Sequence, residues 1–348
     1  MRSTDAGSAG TPWGNSSVAE GQIDNACVWA YRTDVDRSYQ FERTPPTPLV
    51  PVRSDSEAPV IWCKLEYLNP SGSTKDRIAR HILEKAIRSG ELVSGDLVVE
   101  ASSGSTSIAL ALACARMGLR FLAYLPHGAT SERVMMIRAY GGEVRRVDGA
   151  MPEVIEQAAA FAEMEGAFAV RQFENLANAE AHQRGTAGEI LEQLPGLGVS
   201  AVVSGVGTGG TLVGLHAGLS EAGCEVIPVA AIPACGDGFA SNMECCSLTY
   251  SGKVPGVVDG CSKIYADWRA TESAADLREL AIDEGRCLET TRTLWSRGFP
   301  VGPSSGLNLA AAHEIAKELG SDAVIVTVFP DRMERYFSHA VFGELRED

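Results

Sequence analysis

None of the nine cysteines stands in a C-x-x-C pair, and the six histidines show no metal-ligand spacing beside them. The usual signatures of zinc ribbons and dithiol redox sites are therefore missing. Their odd number, scattered from Cys27 to Cys287, provides no disulfide framework and points to a reducing compartment. Long apolar runs are also absent. The most apolar stretch, Ile108–Ala115, is far too short to span a bilayer and reads as a buried helix. The N-terminus has no charged segment followed by an apolar one, so no secretory leader is expected and the expected location is cytoplasmic. Positive charge is scarce. With 30 basic residues against 45 acidic ones the net charge is −15, and no basic stripe is available to neutralise the phosphates of a nucleic acid.

What remains is an ordinary globular composition, 45% apolar and 22% charged, on 348 residues, enough for two domains. Residues 1–22 are rich in Ser, Gly, Asp and Thr and read as a loose extension. Apolar residues return at Ile23, Val28, Trp29 and Tyr31, and the segment ends in the proline-marked run TPPTPLV at 44–50. Beyond Val60 strand and helix patterns alternate. Strands are expected at 60–67, 97–100, 120–125, 143–147, 200–205, 225–232 and 323–329. Helices are expected at about 74–89, 106–117, 131–140, 152–165, 179–193, 210–222, 273–297 and 306–319. Such alternation predicts an α/β fold of mostly parallel sheets, covered by helices on both faces and divided into two lobes that meet in a cleft.

Three loops carry chemistry. GVGTGGT at 205–211 follows a strand and opens an apolar helix. Gly207, Gly209 and Gly210 let the backbone bend and expose its amides, with hydroxyls from Thr208 and Thr211, an arrangement suited to phosphate. No Lys follows, so the loop is not a P-loop, and a plain glycine turn is the simpler alternative. EASSGSTS at 100–107 sets Ser102, Ser103, Ser105 and Thr106 around Gly104, a dense set of donors for a small carboxylate, where a helix cap needs only one serine. NPSGSTKDR at 69–77 puts Lys75 at the start of a helix. The partly positive helix end disfavours a second positive charge, and a neutral amine is what imine formation requires. An exposed surface lysine is the competing reading.

Together these loops resemble the fold-type II pyridoxal-phosphate (PLP) enzymes, specifically the cysteine synthase and cystathionine beta-synthase family, from about Thr47 to Phe342. The resemblance implies a tryptophan synthase beta-like fold: an extension at 1–46, a smaller domain at 70–178 with the carboxylate loop, and a larger PLP-binding domain from 47–69 and 179–343. It also implies a homodimer. Lys75 would hold the cofactor as an imine, and Gly207, Thr208, Gly209, Gly210 and Thr211 would hold its phosphate. Ser102, Ser103, Gly104, Ser105 and Thr106 would bind the substrate carboxylate. Gln172, in RQFENLANAEAH at 171–182, would help them, and Ser304, in GPSSGLNLAAA at 302–312, would bond the pyridine nitrogen. A neutral serine there suits beta-elimination, with Lys75 as the base for the alpha proton.

The carboxylate loop departs from the family's Thr-Ser-Gly-Asn-Thr-Gly at Ser102, Ser105 and Ser107, and Ser105 stands in place of an asparagine that touches the cofactor's ring hydroxyl. The string SSGST instead resembles the L-cysteine desulfhydrase branch. Residues 233–265, including Gly256 in KVPGVVDG, would face the cleft and help set the accepted side chain. Cys235, Cys245, Cys246 and Cys261 lie there as candidate contacts for a sulfur substrate, with inert thiols the commoner outcome. The implied activity is PLP-dependent beta-replacement on a serine- or cysteine-type amino acid through an aminoacrylate, with a small nucleophile as partner. The alternatives are a cysteine desulfhydrase and a PLP-binding regulator without turnover. No metal is expected. Because the two anion loops fall on different lobes, substrate is expected to close the cleft.

Overall fold

The computed structural model describes residues 45–53, 60–234, 254 and 262–345. Two sheets organise them. The larger has six strands in the order β1-β2-β10-β7-β8-β9: β1 Leu49–Val52, β2 Ile61–Lys64, β7 Ala201–Gly205, β8 Ile227–Ala234, β9 Arg278–Asp283 and β10 Ile325–Val328. Only β1 runs antiparallel, pairing with β2 from Leu49↔Lys64 to Val52↔Ile61. The smaller sheet is parallel in the order β5-β4-β3-β6: β3 Leu97–Ala101, β4 Arg120–Pro126, β5 Glu143–Val147 and β6 Phe168–Ala169.

Each sheet is buried on both faces, and alternate residues of a strand enter different cores. In the larger sheet Ala201, Val203, Val229 and Ala231 pack against α9 Glu284–Ser296 and α10 Pro303–Leu319. Their neighbours Val202, Ala230, Val326 and Val328 face α6 Ala187–Gln193 and α7 Gly210–Glu221. In the smaller sheet Val98, Phe121 and Ala123 meet α1 Lys75–Ser89, α2 Ser105–Met117 and α3 Ser131–Ala139. Val99, Ala101, Leu122 and Tyr124 meet α4 Met151–Glu165. Among the described residues no helix is long and apolar enough to cross a membrane.

The structure corrects one element. Residues 273–297 are not a single helix: a short 3-10 turn, Glu272–Ala274, is followed by strand β9 and then α9. The strand sequence RELAID consists largely of good helix formers. Pairing with β8 from Val229↔Arg278 to Ala234↔Asp283 overrides that preference. Asp283 then caps α9 by accepting from the Arg286 amide at 3.0 Å. Strands β1 and β6, four and two residues long, are too short for an alternating pattern to mark them. Helix Lys263–Arg269 is not among the expected elements either, and the other strand and helix positions agree within a few residues. Helix 179–193 is composite: α5 Ala177–Ala181, a π turn His182–Thr186, and α6.

Candidate functional site

Four helices begin at one cleft. Their cap residues are Thr74 for α1, Gly104 for α2, Gly209 for α7 and Gly302 for α10, and none gives a capping side-chain bond. Three have no side chain to give, so the partial positive charge of these helix ends faces the cleft. The cleft holds about 830 Å³ of empty space, counting solvent at its mouth. Lys75, Gly207, Thr208, Gly209, Thr211 and Ser304 line it. So do Ser103, Ser105, Thr106 and Gln172. Residues about 230 apart in sequence are thus brought together.

The glycine loop is held from three sides. The Gly205 amide donates to Asn308 Oδ1 at 2.7 Å, and Asn308 Nδ2 donates to the Val328 carbonyl of β10. The Thr208 hydroxyl accepts from Asn178 Nδ2 at 2.9 Å, and its carbonyl accepts from Ser262. Thr211 contacts the buried His182, whose Nε2 lies 3.2 Å away and whose Nδ1 meets Thr186 Oγ1 at 2.9 Å. Burial pushes the His182 imidazole down to about 3, so it is neutral in ordinary conditions. Gly209 takes φ +74°, and a Cβ there would sit 2.6 Å from Tyr265 Cβ.

Glycine also sets the close approach of α7. Gly210, Gly214 and Gly218 form a bare stripe against the segment 178–187. A Cβ on Gly210 would lie 1.9 Å from Asn178 Oδ1, one on Gly214 2.2 Å from the Ala179 carbonyl, and one on Gly218 2.6 Å from Ala187 Cβ. Gly210 therefore faces packed protein.

The second loop is similarly anchored. Thr106 Oγ1 donates to Gln172 Oε1 at 2.6 Å, and Gln172 Nε2 donates to the Ala101 carbonyl at 2.7 Å. Asn178 Nδ2 also donates to the Gln172 carbonyl at 2.9 Å, which ties this loop to Thr208 through one amide group. Ser102 is not among the lining residues. Its hydroxyl contacts Ser107 Oγ at 2.6 Å and accepts from the Gly104 amide, and its own amide bonds Tyr124. Gly104, at φ +136°, lies where a Cβ would strike the Arg133 side chain at 2.3 Å. Ser105 is committed elsewhere: its hydroxyl donates to Asp331 Oδ2 at 3.2 Å and accepts from Arg335 Nη1 at 3.0 Å. Gly256, Cys235, Cys245, Cys246 and Cys261 lie outside the described residues.

Sequence reasoning missed five side chains here. Arg133, buried, bonds the Ser103 carbonyl at 2.8 Å and stacks 4.8 Å from the Tyr336 ring centroid. Asp331 also accepts from Tyr336 at 2.6 Å, and Arg335 bonds the carbonyls of Ser71 and Gly72 just before Lys75. Asn178 and Glu100 complete the set. Asn178 lies within RQFENLANAEAH and Glu100 within EASSGSTS, where local sequence does not mark them. For Asp331 and Arg335, more than 200 residues from Ser105, no local signal exists.

The cleft fits a group that bears an aldehyde and a phosphate. It offers the amine of Lys75 and the helix-terminal glycine loop. Thr74 Oγ1 and Asp331 Oδ1, buried on its wall, find no partner among the described residues, leaving polar atoms that a bound molecule would satisfy.

The family described as pyridoxal-phosphate dependent enzyme matches residues 41–331. A cysteine synthase of Staphylococcus aureus is 35% identical over 306 residues, covering 85% of this chain and 94% of that protein. The O-ureido-L-serine synthase of Streptomyces lavendulae is 33% identical over 305 residues, covering 86% and 91%. A hydrogen sulfide-producing enzyme of Fusobacterium nucleatum, known from its crystal structure, superposes with a TM-score of 0.74 at 28% identity, covering 93% of each chain.

Proposed function

The chain belongs to the pyridoxal-phosphate dependent enzymes, and from that premise we propose that it catalyses beta-replacement on a serine- or cysteine-type amino acid. The observation that carries the proposal is the meeting of Lys75, the glycine loop and the Thr106–Gln172 pair at one cleft. Its relatives named cysteine synthase and O-ureido-L-serine synthase support it. When bound, the cofactor supplies an aldehyde that captures an amine and a ring that withdraws electrons from the alpha carbon.

The chain's own groups do the rest. Amides at 207–211 hold the phosphate at the start of α7. Ser304, which lines the cleft, would hold the ring nitrogen with a neutral hydroxyl. Ser103, Thr106 and Gln172 hold the substrate carboxylate, which fixes the alpha carbon beside Lys75. Lys75 Nζ would hold the cofactor by its aldehyde and, as a free amine beside the alpha carbon, would serve as the base for the alpha proton. Ser105 lines the cleft in the place of the family's asparagine, with its hydroxyl held by Asp331 and Arg335.

A second reading, beta-elimination of cysteine to sulfide, pyruvate and ammonia, is favoured by the SSGST string and the hydrogen sulfide-producing relative. Incubation with L-cysteine alone separates the two: strong pyruvate release without an acceptor supports the lyase. Borohydride treatment tests the site itself, because the native chain is expected to become covalently labelled and Lys75→Ala is not. The proposal extends to residues 70–178 moving as a lobe that closes on substrate, to a homodimer, and to a cytoplasmic location. Crystals with and without a bound amino acid that superpose without lobe rotation would refute the closure.

A further inference from the structure

Glu100, the penultimate residue of strand β3, is only 3% exposed, and its carboxylate folds back onto two main-chain donors. Oε1 accepts from the Ala101 amide at 2.7 Å and Oε2 from the Gln172 amide at 3.1 Å. Gln172 is thereby gripped at its backbone by Glu100 and at its side chain by Ala101 and Thr106. The preceding residue, Arg171, holds φ +55°, uncommon for a residue with a side chain, so the chain reaches Gln172 through a sharp turn that needs an anchor.

We propose that Glu100 is the positioning residue of the carboxylate subsite, holding Gln172 in place and taking up a proton when an anionic ligand enters. The proposal rests on the reading of Gln172 as a holder of the substrate carboxylate. Its basis is an anion site built around an acid that lacks a cation. The groups sharing the pocket with Glu100 are Arg171 and Glu174, themselves paired at 3.6 Å, and Lys263 from α8 Lys263–Arg269. Helix α4 contributes only Ile155, Ala158 and Ala159, and Ala123 is the β4 partner. Among the described residues no basic side chain forms an ion pair with Glu100. Burial accordingly pushes its carboxyl up to about 8, although the two amides pull the other way. A ligand carboxylate against Gln172 adds a like charge nearby and raises it further, so binding above pH 8 draws a proton from solvent.

Propionate, an anion without an amine, tests this on the cofactor-loaded protein by calorimetry in two buffers of different ionisation enthalpy. At pH 8.5 the heats should differ between buffers, and at pH 6 they should agree. The dissociation constant should be flat below pH 7 and then rise by about tenfold per pH unit above pH 8. Glu100→Gln should remove that slope and raise the KM for the amino-acid donor more than it lowers kcat, whereas Glu100→Asp should retain the slope. Buffer-independent heats at pH 8.5, or an unchanged slope in Glu100→Gln, would overturn the inference and leave the reading of Gln172 standing. If neither propionate nor any amino acid binds at any pH, that reading falls and the inference with it. Should Glu100→Gln not fold, the native heats decide.

Discussion

Glu66 and Glu100 are both buried glutamates, yet their surroundings drive them in opposite directions. Glu66 lies in a network of charges. Arg77 grips it with Nε at 2.6 Å and Nη2 at 2.7 Å, Thr47 Oγ1 donates to it, and the same guanidinium reaches Glu189 twice. Lys64, fully buried, closes the network on Glu189 at 2.7 Å. Although burial opposes ionisation, the guanidinium prevails, and Glu66 is held down at about 2. Glu100 meets only amides and is pushed up to about 8. The lesson concerns division of labour: the network at Glu66 fastens α1, β2 and α6 together, and the solitary acid leaves a titratable group beside the cleft.

The largest expected effect comes from breaking the network at its centre. Arg77→Met strands the buried Glu66 and leaves Glu189 with Lys64 alone, and should cost about 3–5 kcal/mol at pH 7, read as a shift in urea midpoint. Titration of stability comes next. Glu66, with its folded value below the ordinary 4.5, stabilises above that value, and the benefit disappears as pH falls toward 2, about 3 kcal/mol in all. Glu100 runs in reverse: its folded value is raised, so the unfolded chain ionises first and stability drains as pH climbs from about 5 to 8. Glu100→Gln should therefore gain on the native chain by about 3 kcal/mol over that interval. A native-minus-variant difference that is flat from pH 5 to 8 would break the comparison. Glu189→Gln, which leaves the Arg77–Glu66 pair intact, should cost about 1–3 kcal/mol by the same midpoint assay. The smallest effect belongs to the exposed pair of Arg80 and Glu84 on α1, where Glu84→Gln should stay within about 0.5 kcal/mol.

Much of the site was legible because its chemistry is local. Lys75, the glycine loop, the serine-rich loop and Ser304 each sit at a strand-to-helix or loop-to-helix junction, where glycines and hydroxyls mark the turn. What failed was whatever depends on distant packing. RELAID looks helical until β8 supplies its hydrogen bonds. The partners of Ser105, Asp331 and Arg335, arrive from the other end of the chain. Glu100 was visible as an acid closing an apolar strand, but its meaning required the Gln172 amide 72 residues away. Ser102 was counted with its neighbours because composition does not reveal which hydroxyl turns inward.

The bare stripe on α7 works like a gauge block. Three hydrogens at 210, 214 and 218 set how far the helix can stand from the segment behind it, and any methyl group placed there acts as a shim. The displaced end would be the one carrying the amides at 207–211. A substitution two turns away from the cleft, at a position that touches no ligand, would thus be felt first as a loosened grip on the phosphate.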